Sequence, residues 1–85
     1  MKFQLSKHLE QEAAQRGIPW AVVEAVLAAP EQTVSELGTV VCYQSRMTIN
    51  AKPYLVRVMV EQGKEPPVAV SVYRTSKIEK YWKQT

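Results

Sequence analysis

Three stretches of alternating side chains follow one another through the second half of the sequence, at 39–49, 54–61 and 68–75. A period of two marks a strand with two different faces. Parallel neighbours need a crossover of a dozen residues or more, so strands joined only by turns and short loops pair as an antiparallel meander. In the first stretch Val41, Tyr43, Ser45, Met47 and Ile49 share one face, and Val40, Cys42, Gln44 and Arg46 share the other. Asn50-Ala51-Lys52-Pro53 reads as a turn. The second stretch sets Tyr54, Val56, Val58 and Val60 against Leu55, Arg57 and Met59. The loop from Gln62 to Pro67 contains Gly63 and the Pro66-Pro67 pair. Beyond it Val68, Val70 and Val72 suit a packed face, while Ser71, Tyr73 and Thr75 make a row of hydroxyls.

At Thr75-Ser76 the period changes to that of a helix with Ile78, Tyr81 and Trp82 as its apolar positions, and either hydroxyl can cap it. Two further helices are expected before the strands. Ser6 is a candidate N-cap, Leu5, Leu9 and Ala13 form an apolar stripe, and Gly17 stands where a helix ends. Pro19 then suits a first turn, with Trp20, Val23 and Leu27 at helical spacing and Pro30 as the stop. Glu31 to Leu37 could add a short strand, and Met1 to Leu5 reads as an extended lead-in. The expected fold class is α+β: two N-terminal helices packed on a three- to four-stranded antiparallel sheet, with a short C-terminal helix.

At 85 residues this is a single domain, 1–85, with a core adequate for marginal stability. A hydrophobic content of 46% with 22% charged residues is that of a folded chain, not a disordered one. The single Cys42 excludes an internal disulfide and a cysteine-based zinc site, and neither a metal nor another cofactor is expected. No apolar run spans a bilayer and no signal-peptide pattern opens the chain, so a cytoplasmic location with no membrane partner is expected. The formal charge of +3 is a mild basic excess. It becomes informative through its placement, because Arg74, Lys77, Lys80 and Lys83 gather around the last strand and helix beside Tyr81 and Trp82. Such a patch would suit a phosphate backbone.

Ser6-Lys7-His8, Arg16-Gly17-Ile18, Pro30, Tyr43-Gln44 and Tyr54-Leu55-Val56-Arg57-Val58 form one pattern with Val72-Tyr73-Arg74-Thr75-Ser76-Lys77-Ile78 and Lys80-Tyr81-Trp82. Across nearly the whole chain this pattern resembles the domain-of-unknown-function family 4258. That family is similar in layout to the RelE/ParE/BrnT-like toxins and to metal-independent ribonucleases with a barnase-like helix-plus-sheet core. The resemblance implies RNA cleavage, with RNA as substrate and a cognate antitoxin protein as partner.

Metal-independent cleavage needs a base for the 2′-hydroxyl, an acid for the leaving oxygen and cations around the phosphorane. His8, the chain's only histidine, is the candidate acid or base. It could equally cap or pack beside Glu12. Arg57 interrupts an apolar strand, where a charge is costly unless the face is open or the charge is paired. It would clamp a phosphate, or else serve a partner such as Glu36 or Glu61. Tyr73 and Thr75 complete the catalytic candidates. Thr75 is alternatively the cap of the last helix, and Tyr81 and Trp82 are most simply core residues docking it. Arg46, Arg74, Lys77 and Lys80 are the candidate nucleic-acid contacts, and a lysine stripe on a terminal helix is also what a solvated face looks like. The competing readings are a non-catalytic nucleic-acid- or protein-binding module of the same fold, and an interaction domain whose sheet edge pairs with a partner strand or a second copy in a homodimer.

Overall fold

The computed structural model describes residues 2–84. In chain order these form β1 (Gln4–Leu5), α1 (Lys7–Gln15), α2 (Trp20–Ala28), β2 (Gln32–Ser35), β3 (Val40–Ile49), β4 (Lys52–Glu61), β5 (Val68–Thr75) and α3 (Ile78–Tyr81). The fold is α+β, and its sheet has five strands in the order β1-β5-β4-β3-β2. The meander from β2 to β5 is antiparallel, as expected from its short connections. The sheet is nevertheless mixed, because the N-terminal lead-in pairs with β5 in parallel, Gln4 against Val68 and Leu5 against Ala69. The expectation of three or four antiparallel strands therefore falls short by this added parallel strand.

Local chemistry sets the boundaries. Ser6 Oγ accepts the Leu9 N–H at 3.0 Å as the N-cap of α1, a bond worth about 1 kcal/mol. After the C-cap at Arg16, Gly17 adopts φ 64°, a conformation that favours glycine. Asn50 and Ala51 both have positive φ, 52° and 65°, so β3 and β4 are joined by a two-residue turn. Lys52 and Pro53 consequently belong to β4 and not to the turn. Pro53 is tolerated there because β5 ends at Thr75, opposite Leu55, and asks for no hydrogen bond from position 53.

Both N-terminal helices cover one face of the sheet. Leu9, Ala13, Val23, Val26 and Leu27 pack on Ile49, Val56, Val58, Val60, Ala69 and Val72. The simple alternation expected for β5 breaks at one point: Met59 pairs with Ser71 but Val60 pairs with Ala69, leaving Val70 as a bulge. This extra residue moves Ala69, not Val68 or Val70, into the core. The bulged Val70 carbonyl accepts the Ser6 hydroxyl at 3.1 Å. Nearly two turns along α1, Glu12 Oε1 accepts the Val72 N–H at 3.1 Å. Beyond the reach of β1, the outer edge of β5 is thus sealed by two side chains of α1 and its cap.

The other face of the sheet carries Cys42, Gln44, Leu55 and Arg57, all buried, and α3 with the segment after it lies over them. Among the described residues no helix is long and apolar enough to cross a membrane.

Candidate nucleic-acid interface

Counting outward from the turn at 50 and 51 sets Gln44 opposite Arg57, and Arg57 opposite Tyr73, on the three central strands. Their side chains share the face that α1 and α2 do not cover. Arg57 is 4% exposed, and each of its guanidinium nitrogens donates one hydrogen bond. Nε donates to Gln44 Oε1 at 2.8 Å, Nη1 to Tyr73 Oη at 2.6 Å and Nη2 to Glu36 Oε2 at 3.2 Å. The ring of Tyr81 stacks over it at 4.6 Å. Burial alone would weaken the protonated form, but the hydrogen bond to Tyr73 and the Glu36 charge outweigh it and hold the guanidinium ionised. Burial likewise raises the Tyr73 phenol above its ordinary value, with the Arg57 hydrogen bond opposing in part.

Gln44 itself is wholly buried. Its Nε2 donates to Gln32 Oε1 at 2.8 Å and to the Tyr81 carbonyl at 3.2 Å. Among the described residues no buried side-chain nitrogen or oxygen lacks a hydrogen-bond partner, so no atom of the network is orphaned. Such a network rigidifies the face and holds each Arg57 guanidinium nitrogen by one hydrogen bond, while one N–H on each terminal nitrogen has no acceptor among the described residues.

His8 lies elsewhere. It is 67% exposed on α1, with Nε2 3.3 Å from Glu12 Oε2, and that carboxylate also accepts from Arg16 at 3.2 Å and seals β5 at Val72. Val72 belongs to the helix-covered core, whereas Tyr73 next to it points to the opposite face. The structure therefore does not bring His8 together with Arg57, Tyr73 and Thr75. Thr75 acts locally: its Oγ1 accepts the Lys77 N–H at 3.0 Å, closing a turn at the end of β5, and α3 has no side-chain cap.

The candidate contact residues do share a location. The registers Ile49–Lys52, Met47–Tyr54, Arg46–Leu55 and Leu55–Thr75 place the ends of β3 and β5 and the start of β4 at one end of the sheet. There Arg74 stacks over the Tyr54 ring at 4.5 Å, beside Gly17, where an added Cβ would lie 3.6 Å from the guanidinium. Lys77 and Lys80 are exposed and, with Ser76, Ile78 and Glu79, line a shallow cavity of about 550 Å³. Arg46 stacks over Trp82 at 4.1 Å and is gripped by Glu31, whose carboxylate accepts from its Nε and Nη2 at 3.1 Å each. Those hydrogen bonds hold the Glu31 carboxyl below its ordinary pKa. Arg46 is therefore an ion-paired platform and not a free cation. Lys52, exposed at this end, was not among the contacts expected from sequence, whereas Lys83 of the expected cationic patch is exposed beside Gln32 of β2, whose amide hydrogen-bonds its backbone. Among the described residues Glu31 and Glu79 are the carboxylates set beside these cations, whereas Glu36, Glu61 and Glu65 lie toward the opposite end.

Gln44 was the principal residue missed. The signal was available, because once the turn is two residues long, register sets this amide opposite the strand arginine. Tyr81 and Trp82, expected in the core, are not part of it: both lie over the second face. No protein-family model, curated protein or solved structure matches the chain.

Proposed function

We propose that this protein is a non-catalytic RNA-binding module whose contact surface is the cationic end of the sheet. The observation that carries the reading is the gathering of Lys52, Arg74, Lys77 and Lys80 at that end, with the Tyr54 ring under Arg74 on the helix-covered face and Trp82 with Lys83 adjoining on the second face toward β2. Cations that attract phosphates, interleaved with rings that accept bases, are the recurring elements of a single-strand nucleic-acid surface. The choice of RNA follows the resemblance to family 4258, and a cytoplasmic location fits such a partner. General acid–base cleavage fits less well, since its candidate histidine stands across the sheet from Arg57 and Tyr73.

The test is binding of a labelled RNA at several salt concentrations, with cleavage followed in EDTA. Binding that weakens with salt, and whose salt slope shrinks by about one for each lysine replaced in Lys77→Ala and Lys80→Ala, is the expected result. RNA cleavage that disappears in His8→Ala would overturn the non-catalytic reading in favour of the toxin-type ribonuclease. Absence of salt-sensitive binding would refute RNA as the partner and turn attention to proteins.

A further inference from the structure

Trp82 is a half-buried indole that the core does not use. It follows α3 in extended conformation, φ −71° and ψ 126°, and the chain around it is pinned. Gln32 Oε1 accepts the Lys83 N–H at 3.1 Å and Gln32 Nε2 donates to the Lys83 carbonyl at 2.8 Å. Gln44, buried in the sheet, holds both Gln32 and the Tyr81 carbonyl. The backbone on both sides of Trp82 is thus tied to the sheet, and its ring rests on a guanidinium that Glu31 fixes by two hydrogen bonds. The ring also lines an open cavity of about 380 Å³ with Glu31, Gln32, Arg46, Lys83 and Gln84, a volume within the range of small-ligand sites.

We propose that Trp82 is a stacking platform for one unpaired nucleobase, seated in this cavity with its phosphate toward Lys83, so that the module selects single-stranded over duplex RNA. This deepens the RNA-binding reading and rests on it. The physical case is preorganisation: an aromatic side chain already held in place pays little ordering entropy on binding, and every base offers a face to stack. Arg46 beneath the ring contributes rigidity, because Glu31 neutralises its charge. Lys83 supplies the exposed cation. A duplex keeps its base faces in the stack and can offer the site only phosphates.

Trp20 and Trp82 are the chain's two tryptophans, so full-length Trp20→Phe protein leaves Trp82 as the only indole reporter. Single-stranded oligouridine and a hairpin duplex would be titrated at one salt concentration, reading RNA anisotropy and Trp82 fluorescence together. Expected is quenching that follows the single-strand binding curve and is absent with duplex. Trp82→Ala should weaken single-strand binding roughly ten-fold or more, with duplex binding unchanged and Trp82→Phe largely restoring affinity. Single-strand binding with unchanged Trp82 fluorescence, or equal affinity in Trp82→Ala, would overturn the stacking proposal while leaving RNA binding intact. Absence of anisotropy change with either RNA would refute the RNA-binding reading itself.

Discussion

Replacing Arg57 by alanine asks whether the buried cation holds the fold or waits for a ligand. The side chain donates three hydrogen bonds, and their acceptors differ in how well water could replace it. Glu36 is about one-third exposed and Tyr73 half-buried, so both can hydrate. Gln44 Oε1 cannot: its residue has no exposed surface, and the remaining partner is the Cys42 thiol at 3.9 Å. Orphaning that oxygen costs about 1–3 kcal/mol. The space emptied between the sheet and the Tyr81 ring adds a further loss of contacts. Breaking a buried ion pair by removing one partner typically costs about 3–5 kcal/mol. The partial exposure of Glu36 places Arg57→Ala near the lower end, about 3 kcal/mol. For a domain of this size each kcal/mol moves the midpoint by about 4–8 °C, so Tm should fall by roughly 12–24 °C. Urea unfolding should show a lower midpoint at unchanged slope. The double variant Arg57→Met/Gln44→Leu removes donor and acceptor together and should recover the part of the loss owed to the orphaned oxygen, less what Gln32 and the Tyr81 carbonyl lose with Gln44 Nε2. A loss below 1 kcal/mol in Arg57→Ala would refute the argument and return Arg57 to the pool of cations free to meet a ligand.

Two further perturbations bear on other parts of the fold. Burial pushes the Cys42 thiol up to about 11 from an ordinary 9.0, so between those pH values the unfolded chain loses a proton that the folded chain keeps. Stability should accordingly be intact below pH 9 and fall by up to about 2.7 kcal/mol as pH rises to 11. Comparison of alkaline urea midpoints with those of Cys42→Ala, which lacks this loss, isolates the thiol from other titrations. At the hairpin turn, Ala51 holds φ 65°, which costs an L-residue roughly 1–2 kcal/mol. Ala51→Gly should relieve more of that than the glycine loses in unfolded-chain entropy, a net gain of about 0.5–1 kcal/mol measurable as a higher Tm; a lower Tm would contradict the turn geometry.

The parts of this fold that could be read from sequence are those with a local cause. The alternation in 39–49 and 54–61, the Ser6 cap and the stop at Gly17 each depend on near neighbours. Gln4 and Leu5 offer no comparable signal, since two residues have no period and their partners lie more than sixty positions away. The bulge at Val70 was hidden because valine at 68, 70 and 72 already satisfied a regular strand. Arg57 could be singled out as an anomaly, with Glu36 among its candidate partners. Its closure by Gln44 and Tyr73 required knowing which strands are adjacent. The grouping of His8 with Arg57 failed for the same reason. Both residues suit phosphate chemistry, but which face each one occupies is a property of helix docking and not of residue type.

The closed parts of the molecule argue for where a macromolecule can bind. One sheet face is covered by α1 and α2, and the other by a polar network beneath Tyr81 and Trp82 whose hydrogen bonds are all internal. The β5 edge is sealed by Ser6 and Glu12. What stays open is the β2 edge, with Thr33 and Ser35 exposed and Leu37 83% exposed beyond it, and the end of the sheet that carries the lysines. These two surfaces differ in charge. Glu31 and Glu36 flank β2, each already bound to an arginine, so from Thr33 to Leu37 that edge offers a polyanion nothing, whereas its Gln32 end carries Trp82 and Lys83. At the other surface Lys52, Lys77 and Lys80 are exposed, with Lys83 exposed between it and the Gln32 end of β2, and among the described residues none of the four has a carboxylate within ion-pair distance. Desolvating an ion pair gains little, whereas an unpaired lysine releases a counterion from each phosphate it meets. The same arrangement therefore disfavours a polyanion along Thr33 to Leu37 and favours one running from the cationic end to the Gln32 end of β2, where the pinned indole of Trp82 supplies the contact that charge alone cannot.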